Sequence, residues 1–319
     1  MKAVVIGATG HIGTYLIPRL VNHGYEVVAV SRGIREPYAM RGEWGAVERV
    51  KLDRTEEEKA GIFGKKIAAI NADVVVDLQN YSVNSTKSIV GALKGTSISH
   101  YVFCSSIWEH GWGTTLPMTE DMPRRPICDY GRDKLASMEF LHGEYIQNGF
   151  PYSSVMPGHI TGPGWTCINP SGNFDPLVFG EIARGEEIFL PNFGMEAVHH
   201  VHADDVAQIF MKSITRRSAA MDQNFLAVAP TAMSLRGFAE AMYSYFGHEP
   251  RITYLPWEDW KKKARGQPYI NSTYAHLMHN DIYSPDKARR LLGYEPRYTI
   301  VQAVCECVDS MIARGVIEV

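Results

Sequence analysis

Gly7-Ala8-Thr9-Gly10-His11-Ile12-Gly13 follows the apolar run Lys2-Ala3-Val4-Val5-Ile6 and opens a stretch of helical periodicity from about Ile12 to His23, closed by Gly24. A glycine-rich turn between a strand and a helix N-terminus lets backbone N–H groups approach a pyrophosphate, and the helix dipole favours its charge. The spacing is GxxGxxG rather than the commoner GxGxxG, and either pattern on its own also describes a plain tight turn. With a strand before it and a helix after it, the stretch reads as a dinucleotide site using Gly7, Thr9, Gly10, His11, Ile12 and Gly13.

Downstream of that turn, the same alternation continues. A second strand, Glu26 to Val30, ends in Ser31-Arg32, where an acid would hold the ribose 2′-hydroxyl of NAD and an arginine can meet the 2′-phosphate of NADP. No acid stands at the tip, so NADP is favoured over NAD; the alternative is that Arg32 is a solvated loop charge. A third strand near Val47 to Leu52 ends at Asp53, which is placed either to accept from an adenine amino group or to cap the helix starting around Thr55. Val74-Val75-Val76-Asp77-Leu78 is a nearly continuous apolar strand, as a parallel sheet covered on both faces requires. The fold class predicted is α/β, a Rossmann-type doubly wound parallel sheet with a smaller C-terminal α/β substrate domain. Residues 1–158, with about 199–229, are assigned to the dinucleotide-binding domain, and 159–198 with 230–319 to the substrate domain.

Composition narrows the function classes. The chain has 319 residues, 45% hydrophobic and 21% charged, enough for a large core. A net charge of -3 offers no general attraction to nucleic acid or to an anionic membrane. No apolar run reaches the roughly 18 residues of a spanning helix, and the N-terminus enters a strand at once, so a cytoplasmic chain is expected. Cys104, Cys128, Cys167, Cys305 and Cys307 form no CxxC pattern, and neither disulfides nor a metal are expected.

Tyr130-Gly131-Arg132-Asp133-Lys134 carries the chemistry. On a helix, positions i and i+4 share a face, so Tyr130 and Lys134 point into the same space, and a cation beside a phenol lowers its pKa. Asp129 is placed to cap that helix, and Leu135, Met138, Leu141 and Tyr145 give it an apolar stripe. The same pair also occurs on ordinary exposed helices. A strand, Tyr101 to Cys104, runs into Ser105-Ser106, and the carboxyl ends of strands face the ligand crevice in open α/β sheets.

The set GATGHIG, CSS, YGRDK, the run Pro157 to Gly164, His200-Val201-His202-Ala203-Asp204-Asp205 and the segment Ser284 to Pro296 resembles the extended short-chain dehydrogenase/reductase superfamily, in its NAD-dependent epimerase/dehydratase branch. The resemblance covers nearly the whole chain. It implies a triad of Ser106, Tyr130 and Lys134, with Tyr130 transferring a proton at the substrate oxygen and Lys134 tuning it and binding the nicotinamide ribose. It also implies cofactor contacts from Pro157, Gly158 and His159, and a homodimer built on the helix after Thr86 and the helix carrying Tyr130. The expected activity is hydride transfer at a secondary alcohol or ketone of a sugar-like, possibly nucleotide-linked substrate, by an epimerase or a reductase/dehydrogenase. The rival is a non-catalytic dinucleotide-binding sensor or RNA-associated structural protein of the same fold.

Two departures bear on substrate. Dehydratases of this family carry an Asp-Glu pair after the catalytic hydroxyl, whereas this chain has Ile107 and Trp108, with Glu109 one residue later; dehydration therefore ranks below epimerisation or redox. Members that bind sugar nucleotides often carry an arginine just before the HVHADD-like segment, where this chain has Glu196-Ala197-Val198-His199-His200; Arg236, Arg251 or Lys287 are the candidate replacements. Trp108, Trp165, His199 and His200 are the substrate-contact candidates, and flat aromatic faces suit a small-molecule substrate with a polar or aromatic ring.

Overall fold

Valine-rich runs predicted as covered strands form the centre of the sheet. The computed structural model describes residues 1–39, 41–280 and 282–319. In chain order, β1 (Lys2–Ile6), α1 (His11–Asn22), β2 (Glu26–Ser31), β3 (Glu48–Lys51), α2 (Arg54–Lys59) and α3 (Phe63–Ala69) come first. Then follow β4 (Val74–Asp77), α4 (Val83–Leu93), β5 (His100–Cys104), α5 (Asp129–Asn148) and β6 (Tyr152–Pro157). The chain continues with β7 (His159–Thr161), α6 (Leu177–Ala183), β8 (Ile188–Pro191), β9 (Ala197–Val198), β10 (His200–His202), α7 (Ala203–Thr215), α8 (Arg217–Ala220) and β11 (Asn224–Ala227). It ends with β12 (Met233–Ser234), α9 (Leu235–Tyr245), β13 (Ile252–Leu255), α10 (Trp257–Trp260), α11 (Gln267–His279), α12 (Asp286–Leu292) and α13 (Ile300–Ala313).

Seven strands make one parallel sheet in the order β11-β6-β5-β4-β1-β2-β3, a doubly wound arrangement. Its middle strands β4, β5 and β6 are buried throughout, because helices cover both faces. β3 lies at one edge and carries Glu48, Arg49 and Lys51, charges that discourage pairing with another chain. One face packs Leu16, Ile17 and Leu20 of α1 and Val206, Ile209 and Phe210 of α7. The other packs Phe63, Ile89, Val90, Met138 and Leu141.

A separate apolar core joins Phe179, Leu190, Phe238, Met242, Val304 and Val308, from α6, β8, α9 and α13. Ala288, Leu292 and Tyr294, which lie in the sequence span given to the substrate domain, pack instead into the sheet's own core. Short strands complete the two bodies, both pairs parallel: β10 pairs with β7 where the bodies meet, against α13, and β13 pairs with β8 inside the second.

Two local expectations for α5 change. Its N-cap is Cys128, whose Sγ accepts from the Gly131 N–H at 3.4 Å, while Asp129 is the first helical residue and pairs with Arg132. The buried face is Gly131, Lys134, Ser137, Met138 and Leu141; Leu135 is only half-buried, because the helix turns Lys134 inward.

Candidate active site

A crevice of about 450 Å³ opens at the carboxyl ends of the sheet strands. Ser31, Arg32 and Arg35 line it beyond β2; Gly7, Thr9, Gly10, His11 and Ile12 line it beyond β1. Gln79 and Tyr81 after β4, Ser105, Ser106 and Trp108 after β5, Tyr130 and Lys134 of α5, and Pro157, Gly158 and His159 after β6 complete its middle. Trp165, Ile168 and Phe174 close the far side.

The glycine turn brings α1 end-on to the crevice. No side chain caps that helix and no acid sits in its first turn, so its leading N–H groups and dipole are free to meet an anion. Gly13 does not line the crevice and works by packing: a Cβ there would stand 2.1 Å from the Ala8 carbonyl oxygen, so only glycine lets α1 lie against the turn. His11 stacks on Trp165, centroids 5.0 Å apart, and neither of its ring nitrogens has a partner; burial pushes its pKa down to about 3, so the ring is neutral.

Asp53 is outside the crevice. Its carboxylate accepts from the N–H groups of Thr55 at 3.0 Å and Glu56 at 3.4 Å, and it caps α2. Arg35, which the sequence reading omitted, stands with Arg32 at the tip of β2 and donates to the Tyr38 hydroxyl at 2.8 Å.

Ser106, Tyr130 and Lys134 share one wall. The Ser106 hydroxyl accepts from the Trp108 N–H at 3.3 Å at the start of a short 3-10 turn, Ile107–Glu109. α5 is pressed onto that turn at Gly131. Lys134 is buried, and its ammonium donates at 2.6 Å to the carbonyls of Asn80 and of Cys104 at the end of β5. Its Nζ lies 5.5 Å from the centre of the Tyr130 ring, so the i, i+4 pair does face one space. The expected lowering of the Tyr130 pKa is not what the free protein has. Burial pushes the phenol well above its ordinary value, nearby Cys104 adds to this, and the Ser106 hydroxyl acts the other way. Burial also lowers the Lys134 pKa. Tyr130 is 39% exposed as a residue, but its hydroxyl faces inward towards Ser106.

His199 and His200, read as substrate contacts, are buried structural groups. His199 Nε2 donates to the Ala229 carbonyl at 2.8 Å and its Nδ1 accepts from the Tyr283 N–H; His200 Nε2 donates to the Ile168 carbonyl at 3.2 Å. Parallel pairing of β10 with β7 places His200, fully buried, opposite His159, which lines the crevice. His202 caps α7 through Nδ1, and among the described residues no group of three His, Cys, Asp or Glu could hold a metal ion. Arg236 pairs with Glu240, Arg251 donates to the Gly185 carbonyl, and Lys287 lies over the Phe225 ring, so none of the three lines the crevice. Glu109 is fully buried and ion-paired with Arg124 at 3.0 Å.

Residues 3–226 match the NAD dependent epimerase/dehydratase family. The chain belongs to this family. It is an extended short-chain dehydrogenase/reductase, a nicotinamide-dinucleotide enzyme of the epimerase or reductase type. Among curated relatives, it is 24% identical to the chloroplast stem-loop binding protein of 41 kDa b of Arabidopsis thaliana, over 98% of this chain and 80% of that one. It is 30% identical to the 2'-dehydrokanamycin reductase of Streptomyces kanamyceticus, over 64% of this chain and 55% of that protein. The UDP-glucuronic acid 4-epimerase of Bacillus cereus, solved in complex with NAD, shares the fold at a TM-score of 0.74 with 16% identity, covering 98% of this chain and 99% of that one. The uncapped α1, the packing glycine and the two arginines at the β2 tip fit a dinucleotide. Among the described residues no helix is long and apolar enough to cross a membrane.

Proposed function

We propose that the protein is an NADP-dependent oxidoreductase working at a secondary alcohol or ketone of a sugar-like ring, with Ser106, Tyr130 and Lys134 as its catalytic set. The observation carrying this reading is the meeting of those three side chains on one wall of the crevice, next to the glycine turn. The dinucleotide, when bound, supplies or accepts the hydride. Tyr130, held protonated by burial, gives its phenol proton to a carbonyl oxygen in the reductive direction and recovers it in the oxidative one. Ser106 holds that same oxygen by a hydrogen bond. Lys134, fixed by two carbonyls, keeps a positive charge beneath the tyrosine ring and presents it to the cofactor ribose. Arg32 and Arg35 support the choice of NADP, since a bidentate cation suits a 2′-phosphate.

Denaturing freshly purified protein and identifying the released nucleotide tests the reading. Stoichiometric NAD or NADH would favour an epimerase that recycles its own cofactor and would overturn the preference for NADP. An empty protein that takes up NADP more tightly than NAD supports a reductase or dehydrogenase. In either case Tyr130→Phe and Lys134→Met should lower turnover by about 100-fold or more, the usual range for acid/base groups; intact turnover in both would sink the catalytic set.

Similarity to a stem-loop binding protein over 98% of this chain favours a second reading, dinucleotide binding coupled to RNA binding. The net charge of -3 opposes it, because phosphate-backbone binding draws on surplus cations. Gel-shift titration with a stem-loop RNA at physiological salt separates the two, since micromolar binding would bring the RNA reading forward.

A further inference from the structure

Resting on the reading of Ser106, Tyr130 and Lys134 as a hydride-transfer site, we infer that the substrate is an uncharged hydroxylated ring, a free sugar, glycoside or cyclitol, and not one carrying phosphate or carboxylate groups. Beyond Ser106 and Tyr130 the crevice is walled by Trp108, His159, Ile168 and Phe174. None of the four is an acid, a lysine or an arginine. The crevice's cations are elsewhere: Arg32 and Arg35 stand at the β2 end, Arg35 on the hydroxyl of Tyr38, whose ring meets Trp165 edge-on at 6.1 Å, and the Lys134 ammonium is held by two backbone carbonyls.

Histidine does not fill the gap. His159 is packed edge-on against His276, centroids 5.1 Å apart, and 6.1 Å from His200. Burial first, and then the neighbouring imidazoles, push the His159 pKa far below its ordinary value, so a proton on one ring of the group opposes a proton on the next. His276 already donates Nδ1–H to the Gly172 carbonyl at 2.6 Å, and burial lowers its pKa too. Other arginines of the surrounding elements are committed, Arg124 to Glu109 at 3.0 Å, Arg265 to Asp175 at 2.6 Å, and Arg314 to the carbonyls of Trp165 at 3.0 Å and Ser310 at 3.1 Å. A diphosphate pushed against this wall would lose its hydration without gaining a counter-charge, and uncompensated burial costs several kcal/mol per ion. An amine-bearing substrate meets the converse difficulty, because the wall has no carboxylate.

What the wall does offer is flat and neutral. Trp108 lies against His279, centroids 4.3 Å apart, and meets His159 edge-on at 6.4 Å, while Phe174 meets His276 edge-on at 5.6 Å. Such fixed aromatic faces suit the C–H face of a saturated ring. The Ser105 hydroxyl is buried, lines the crevice and has no partner within the protein, so it is available to a ring hydroxyl.

The test is calorimetric and fluorimetric binding to the protein saturated with dinucleotide, using UDP, UDP-glucose and a panel of hexoses, myo-inositol and phenyl β-glucoside. The expected result is no binding of UDP or UDP-glucose tighter than about 1 mM, roughly -4 kcal/mol, together with binding of at least one uncharged ring that changes tryptophan emission. Trp108→Ala and Phe174→Ala should each weaken that ring at least tenfold with dinucleotide affinity kept, which shows that the variants are folded. Binding of UDP-glucose tighter than that limit, or failure of every uncharged ring, overturns the inference. Failure of the parent reading is seen separately, as turnover that survives Tyr130→Phe or as a protein that binds no dinucleotide.

Discussion

Gly131 lies so close to the turn after β5 that a Cβ built on it would stand 2.2 Å from the Trp108 carbonyl oxygen. That oxygen is backbone and cannot swing aside. The contact fixes how near α5 comes to Ser106, and Tyr130 is the residue just before it.

Gly131→Ala is therefore expected to lower both stability and turnover. In an unobstructed helix interior the change would stabilise by about 0.5–1 kcal/mol. Here overpacking, typically about 1–3 kcal/mol, opposes and exceeds that gain. Urea unfolding should show a net loss, and kcat should fall by tenfold or more as Tyr130 is moved off Ser106. A variant as stable and active as the parent would show that α5 does not need this contact.

Why some of this was legible and some was not follows from the range of the interactions. The sheet and the glycine turn are written in local pattern: valine runs for covered strands, and a small residue where α1 meets the turn. Tyr130 and Lys134 were readable because one helical turn relates them. Gln79 and Tyr81 were within reach, since they follow the end of β4 and ligands collect at strand ends. His199 and His200 misled because a histidine-rich segment looks the same whether its rings face a cleft or the carbonyls of Ala229 and Ile168. Phe174 and His276 come from segments about 100 residues apart that pack together, and no local signal announces that pairing. The Tyr130 pKa was misjudged for a related reason: spacing shows the cation beside the phenol but not the burial of both.

Arg32→Ala should weaken NADP(H) binding by roughly 10- to 100-fold, the worth of about 1.5–3 kcal/mol for hydrogen bonds to a charged group, and leave NAD(H) nearly unchanged. Arg35→Ala should have a smaller effect in the same direction, because its guanidinium also serves the Tyr38 hydroxyl. Fluorescence titration with both reduced cofactors reads the ratio directly. Equal losses for the two cofactors would mean that the arginines do not read the 2′-phosphate.

Arg54→Met should be among the most destabilising single changes outside the apolar cores. Arg54 donates to Asp77 at 2.6 Å and to the Gln79 carbonyl at 2.7 Å, and Asp77 is fully buried. Burial alone would raise the Asp77 carboxyl, but Arg54, Tyr101 and Asn80 together hold it below its ordinary value. Removing one partner of a buried pair costs about 3–5 kcal/mol, because the other charge is stranded. The loop after β4 should loosen with it, so dinucleotide affinity is expected to fall as well, since Gln79 and Tyr81 line the crevice. A thermal midpoint within a degree or two of the parent would contradict this.

Glu109 should make the protein less stable as pH rises through neutrality. Burial pushes its carboxyl up to about 7, against the pull of Arg124 and Lys134, while in the unfolded chain it titrates at about 4.3. A carboxyl whose folded pKa is raised favours the protonated form in the folded protein. Its contribution is best below the unfolded value, falls as pH rises from about 4.5 to 7, and is level above that. At about 1.4 kcal/mol per pH unit, the gap of about 2.7 units amounts to roughly 4 kcal/mol, of which roughly 3 kcal/mol falls between pH 5 and pH 8. Glu109→Gln has no proton to lose, keeps a hydrogen-bond acceptor for Arg124 and should escape the decline. Urea unfolding of both proteins at pH 5 and pH 8 should therefore show the stability of the variant, relative to the parent, rising by up to that amount at the higher pH. Parallel pH dependences would show that the buried carboxylate remains ionised throughout, with Arg124 fully compensating its burial.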